Sequence, residues 1–319
     1  MKKLFKYAIG LIKAIKILPE TVIMQNDFLT SNGNKNDIKS DRILMGKILS
    51  EMNSNKIIQK LSDVEFSVFS QWGDDGIIQY IIQHTDIPYK TFIEFGVENY
   101  KESNTRFLLI NNNWSGFVID GSKNNIDYIK KDFVSWGYEL VSKEAFITAE
   151  NINLLIEDFL QKGYNREIGI LSIDIDGNDY WVWKAITVIN PIVVIIEYNS
   201  LFGPSHPYTI PYDPKFQRYH ADHRLQYYGT SLSAAFHLAN EKGYSFIGCN
   251  NNGNNAYFIR SDKNQFFKSI SAEEGYVKSR FREFFINGER ACGDERLTAI
   301  EGKPVINVLT GKTEILKIN

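Results

Sequence analysis

Residues 191–199 read PIVVIIEYN, an unbroken run of Val and Ile with no polar alternation. A strand that is apolar on both sides belongs in a sheet covered by helices on both faces, which is the situation of parallel sheets. The chain ahead of this run fits that placement. Strand-like stretches at 91–96 (TFIEFG), 115–121 (SGFVIDG), 138–146 and 168–177 (IGILSIDIDG) alternate with helical patterns at 104–113, 124–137, 151–163 and 179–186. Five β-α repeats predict a mostly parallel, Rossmann-like α/β sheet with helices on both faces. A helix over 229–243, capped by Ser231 and stopped by Gly243, leads into strands at 244–250 and 255–261. These two are joined by a turn rich in Asn and Gly, which is hairpin chemistry and adds an antiparallel strand at one edge.

In such sheets ligands bind at the carboxyl ends of the strands. Acids stand at those ends here: Glu94, Asp120, Asp174 with Asp176, and Glu197. One such acid is as readily a helix cap; four strand ends of five carrying one argue for a site. The first strand runs into Glu94 and then Gly96, where the missing side chain permits a sharp turn and a close ligand approach. A single glycine makes a poor pyrophosphate cradle. Asp120 follows Gly96 by 24 residues, about the interval at which dinucleotide enzymes place the acid that holds a ribose. A ribose held without a phosphate cradle points to S-adenosylmethionine.

The same residues resemble a known family. FSQWGDDGII supplies Ser70, Gln71, Gly73 and Asp75; Glu94 and Gly96 follow, then Ser103, Asn104 and Thr105, Trp114 and Gly116, Asp120, and LSIDIDGND with Ser172 where Lys is common. In this order the boxes, over about residues 66–262, are similar to the FkbM-like class I S-adenosylmethionine-dependent methyltransferases. YNSLFGP, PYDP, YYGTSL and KGYSFIGCNNNGNNAYFIR resemble a subgroup found with capsule and surface-sugar genes. The resemblance implies that Glu94 and Gly96 line the methionine end of the cofactor. It also implies that Gln71 and Asn104 bind its carboxylate or amine, that Asp120 with Gly121 binds its ribose, and that Phe146 stacks near adenine. It implies O-methyl transfer to a sugar or sugar-nucleotide hydroxyl in capsule or surface polysaccharide biosynthesis.

The second constellation is DIDGND followed by EYN. Adjacent strand ends bring Asp174, Asp176 and Glu197 within several ångströms of one another. Clustered carboxylates need a counter-charge, and hard oxygen donors in this number suit Mg²⁺ or Mn²⁺. The alternative is that one acid, Asp174 or Asp176, serves as general base while the others bond the loop. The segment 200–228 is long, and rich in Tyr, Pro and His. Loops of that length inside a compact domain are usually functional. Its His206 and His220 are candidate bases for a hydroxyl, and Tyr208, Tyr212, Tyr219 and Tyr228 suit stacking on a sugar.

Two other classes compete. A metal-dependent glycosyltransferase would use Asp174 and Asp176 as its D-x-D pair but leaves Gly96 and Asp120 unexplained. A non-catalytic scaffold of this fold would explain the missing glycines. The net charge of −2 gives no reason to expect nucleic acid as a partner, and Cys249 and Cys292 lack metal-type spacing, as in a reducing, cytoplasmic setting. Residues 1–19 carry lysines among apolar residues and end at Pro19. Lys13 and Lys16 interrupt any signal-peptide core, so the segment reads as an amphipathic helix for self-association or for peripheral contact with the inner membrane face. The expected organisation is a helical extension and linker at 1–62, the methyltransferase-type domain at 63–262 and a helix-and-strand extension at 263–319, in a homo-oligomer.

Overall fold

The computed structural model describes residues 35–280, 285–286, 288–291 and 293–317. The stretch 1–19 and Cys292 lie outside the described residues. The chain divides into residues 1–48 and 49–319, and the sheet and the site lie in the second unit. No helix among the described residues is long and apolar enough to cross a membrane.

In chain order the strands are β1 (Thr91–Phe95), β2 (Ser115–Asp120), β3 (Leu140–Glu144), β4 (Glu167–Ile173), β5 (Asn190–Glu197), a two-residue β6 (Tyr208–Thr209), β7 (Tyr244–Cys249) and β8 (Asn255–Arg260). Seven of them form one sheet in the order β3-β2-β1-β4-β5-β8-β7. The first five are parallel; β8 runs antiparallel to both β5 and β7. This is the strand order of the class I methyltransferase fold.

The alternation expected of a doubly covered sheet is plain in the packing. Ile93, Phe95, Phe117, Ile119, Leu171, Ile173, Val194 and Ile196 face one apolar layer with helices Ile152–Leu160, Asp179–Ala185 and Leu232–Glu241. Their neighbours Phe92, Val118, Ile170, Val193 and Ile195 face the other, against helices Asp74–His84, Arg106–Asn112 and Lys123–Lys131. The closing hairpin stands at one edge of the parallel strands, as expected, and supplies the antiparallel strand. Its second strand, β8, is buried throughout and inserts beside β5, while β7 takes the edge and carries a bulge between Phe246 and Gly248. At the opposite edge β3 is half-exposed and holds Ser142, Lys143 and Glu144, which discourage pairing with another chain.

Three segments differ from their sequence periodicity. In the extension and linker at 1–62, a helix runs Lys35–Asn53 and so begins in residues whose Asn, Lys and Asp content reads as linker. The pattern 124–137 breaks at Asp132, whose carboxylate bonds Arg106 and accepts the Val134 N–H that opens a new turn. The helical pattern after 271 yields only Ala272–Gly275. There tertiary bonds win over propensity: Tyr198 Oη donates to the Val277 carbonyl, Tyr276 Oη to the Ser200 carbonyl, and the Ser279 N–H to Ser200 Oγ.

Beyond the sheet, β9 (Phe285–Ile286) pairs with β10 (Glu289–Arg290), and β11 (Pro304–Asn307) lies between β12 (Thr313–Ile315) and β6. The C-terminal segment therefore holds the long loop after β5. Leu201, Phe202, Ile210 and Tyr227 of that loop share an apolar cluster with Ile300, Val305 and Leu316. Arg224 bonds Asp222 and the carbonyls of Thr298 and Ala299.

Candidate active site

At the carboxyl ends of β1, β4 and β5 the loops touch. Gly96 has φ +69°, and a Cβ there would lie 1.6 Å from the Asp174 carbonyl oxygen. The glycine is required because the β4 loop crosses it, and its backbone also lines two adjoining spaces. Glu94 is used differently than expected. It is buried, and accepts from Ser103 Oγ, Thr105 Oγ1 and the N–H groups of Asn104 and Thr105. It holds the SNT turn in place. Asn104 donates its side-chain amide to Ser172 Oγ. Asp75 does the same for the SQWGDD turn, where Oδ2 accepts from the N–H groups of Val68, Phe69 and Ser70 and from Ser70 Oγ. That nest leaves Gln71 and Trp72 exposed at the rim of the site.

Two adjoining spaces open here. One, of about 190 Å³, is lined by residues including Gly96, Asp120, Gly121, Phe146, Ile147 and Phe216. Phe146 is 46% exposed. Phe216 comes from the long loop and packs where a side chain on Gly177 would sit. Asp120 Oδ2 accepts the Glu98 N–H and Oδ1 accepts from the Ser122 N–H and Asn125 Nδ2, so three of its roughly four acceptor positions are filled from its own surroundings.

The second space, of about 250 Å³, is lined by Gln71, Trp72, Glu98, Glu102, Asp174, Asp176, Glu197, Arg218 and Asn254, and shares Gly96, Glu98, Asp174 and Asp176 with the first. Asp174, Asp176 and Glu197 each place a carboxylate oxygen within 4.8 Å of the others. Burial pushes the Asp174 carboxyl well above the ordinary range, with the charges of Asp176 and Asp179 adding to it. Burial does the same to Glu197, with Asp174 and Asp176 adding. The two carboxyls face each other across the cleft, and Glu197 Oε2 is buried with no partner. Asp179, whose carboxyl burial pushes up to about 6, accepts the Ile175 and Gly177 N–H groups and shapes the turn. Asp176 sits there at φ +55°, a backbone region uncommon for residues other than glycine.

The counter-charge that the cluster needs is Arg218, from the long loop. Its guanidinium bonds Asp176, its Nε donates to the Leu225 carbonyl, and its plane lies 3.6 Å over the Tyr228 ring. Nothing local in the sequence marks it, because 42 residues separate the partners. Asn199 is structural, donating to the Gln226 and Tyr228 carbonyls. His206 is exposed and stacks on Tyr208; His220 is exposed on the turn Arg218–Ala221. Neither His206 nor His220 lines either space. Of the loop tyrosines suited to stacking, Tyr208 bonds Glu314, Tyr212 bonds Glu150, and Tyr228 is buried under Arg218, while Tyr219 is exposed and lines neither space.

No family model matches the chain, and no curated protein does. Among solved structures it is similar to the N-terminal domain of EvdMO1 with SAH bound, at 10% identity over 71% of this chain and 95% of that one (TM-score 0.38). It is similar to an S-adenosylmethionine-dependent methyltransferase from Clostridium acetobutylicum, at 10% identity over 67% of this chain and 97% of that one (TM-score 0.36). PKMT2 from Rickettsia typhi in complex with AdoHcy matches at 10% identity over 57% of this chain and 52% of that one (TM-score 0.37). The structural neighbours are S-adenosylmethionine-dependent methyltransferases. Likeness of this degree carries neither reaction nor substrate over to this chain.

Proposed function

We propose that this chain is an S-adenosylmethionine-dependent O-methyltransferase that acts on a sugar hydroxyl with the help of a divalent cation. The observation that carries the reading is the pair of adjoining spaces. One is sized and lined for an adenosyl group, and it meets an acidic cleft at Gly96, Asp174 and Asp176. A glycosyltransferase or an empty scaffold gives no account of the first space. In the reading, Asp120 and Gly121 take the ribose, with one present bond of Asp120 exchanged for a hydroxyl. Phe146 lies against the adenine, and Gln71 and Asn104 stand at the amino-acid end.

Bound there, S-adenosylmethionine supplies a methyl group on a sulfonium. Asp174, Asp176 and Glu197 fit a cation: three hard donors converge, burial and mutual repulsion disfavour the charges of Asp174 and Glu197 without one, and Glu197 Oε2 has no partner. Mg²⁺ or Mn²⁺ held there supplies Lewis acidity toward the acceptor hydroxyl. Arg218 keeps Asp176 oriented, and Trp72 and Phe216 wall the reacting groups from water. With the cofactor held there and the acceptor hydroxyl in line with its methyl group, one of the three carboxylates would take the hydroxyl proton as the methyl group passes to that oxygen.

The test is calorimetric titration with S-adenosylhomocysteine and with UDP- and GDP-sugars, with and without Mg²⁺. We expect S-adenosylhomocysteine to bind and to bind at least about ten-fold more weakly to Phe146→Ala, whose half-exposed ring can be lost without disturbing the core. Binding of a nucleotide sugar and not of S-adenosylhomocysteine would sink the proposal.

A further inference from the structure

Given methyl transfer at this site, on which the inference rests, we propose that the acceptor is a glycoside carrying a protonated amine and that phosphorylated acceptors, sugar nucleotides included, are rejected. Glu98, Glu102, Asp174, Asp176 and Glu197 line the acidic cleft, and Arg218 is the only cationic side chain among the described residues that line it. Five carboxyl groups face one guanidinium, and with a divalent cation held at Asp174, Asp176 and Glu197 the lining would still carry two net negative charges. Arg218 does not offer its charge to an incoming phosphate. Its guanidinium is on Asp176, its Nε is on the Leu225 carbonyl, and Tyr228 lies against its plane.

The rim has the features an amine needs. Glu98 and Glu102 are exposed. Glu98 is held in a left-handed backbone, φ +47°, by its N–H bond to Asp120 Oδ2 at 2.8 Å, so its position is set by the ribose-side acid. Trp72, 37% exposed, offers an aromatic face beside them, which suits both a sugar ring and an ammonium. The remaining polar groups in the lining, Gln71 and Asn254, are uncharged. Independently of the acids' number, Glu197 Oε2 points to a missing ligand, since it is buried in a residue only 7% exposed and has no partner. A cleft lined by one sign of charge concentrates ligands of the other sign and excludes its own.

The experiment uses the full chain saturated with S-adenosylhomocysteine and Mg²⁺. It is titrated with methyl glucosaminide, methyl glucoside and methyl glucoside 6-phosphate, at about 20 mM and about 300 mM NaCl. We expect the amine to bind most tightly and the phosphate least, with about ten-fold or more between them at low salt and a narrower spread at high salt. Glu102→Gln should shrink the spread and Glu102→Lys should abolish or reverse it. Glu102 is exposed and does not line the adenosyl-sized space, so S-adenosylhomocysteine should still bind both variants. Phosphate binding as tightly as amine, an order that Glu102→Lys leaves unchanged, or failure of all three sugars to bind overturns the inference. Failure of S-adenosylhomocysteine itself to bind wild type overturns the methyltransferase reading instead.

Discussion

Glu197→Gln probes the carboxylate pair on which both the proposed cation site and the proposed chemistry depend. In the metal-free protein two buried acids face each other, each pushed up by burial first and by the other's charge next. The sign follows from linkage. Their folded pKa values lie above the unfolded value of about 4, so the native state keeps protons that the unfolded chain has released. The stability they allow is complete below about pH 4 and falls as pH rises through the raised folded values. Gln keeps the shape of Glu, removes one of the opposed charges and offers Asp174 an amide N–H donor. An uncompensated buried polar group costs about 1–3 kcal/mol. In EDTA, Glu197→Gln should therefore be more stable than wild type by about 1–3 kcal/mol near pH 8, and near pH 4 the gain should vanish. Urea unfolding at the two pH values measures this directly. Added Mg²⁺ should stabilise wild type and leave the variant unchanged. A variant less stable than wild type by the same amount at both pH values would refute the reasoning. It would mean that Glu197 is held by a favourable structural bond and not against a repelling neighbour.

Gly96→Ala places a methyl group into the Asp174 carbonyl at a positive φ, so the variant should lose more than about 3 kcal/mol in a urea melt; a loss under about 1 kcal/mol would show that the β1 and β4 loops separate freely. Glu94→Gln turns an amide N–H toward four donors from Ser103, Asn104 and Thr105, and should cost about 2–4 kcal/mol and speed hydrogen exchange at the Asn104 and Thr105 amides. Arg224→Ala releases the long loop from the C-terminal segment, at a cost of about 1–3 kcal/mol given the partial exposure of the guanidinium. Burial raises the Asp222 carboxyl, but Arg224 and Lys303 outweigh it and hold Asp222 well below the usual range; the Arg224→Ala loss should be full above about pH 4 and shrink as pH falls through the folded value, and limited proteolysis should then cut within 203–228.

What the sequence disclosed and what it hid divide along a physical line. The strands are legible because their environment is written in their own residues: a Val–Ile run such as 191–197 has one stable place, inside a doubly covered sheet. From that the carboxyl-end position of every strand-end acid follows, and Glu94, Asp120, Asp174, Asp176 and Glu197 all stand where the pattern puts them. Which way each carboxylate turns was not legible, because it depends on donors that arrive from elsewhere. Glu94 is claimed by the turn that follows its own strand and Asp120 by the start of the next helix, while the guanidinium that pairs with Asp176 comes from the loop after β5. The same dependence makes His206 and His220 misleading: composition marked their loop as functional, but pairing of β6 with β11 and the bonds of Arg224 decide which of its side chains reach the cleft. They bring Phe216 and Arg218 in and leave both histidines outside. An acid whose donors are local is a structural acid, and one that reaches the fold without a donor is waiting for something. By that criterion Glu197, whose Oε2 is buried with no partner, is the acid of this cleft whose partner has yet to be supplied, and the chemistry of that partner is what the Glu197→Gln melt and the sugar titrations read out.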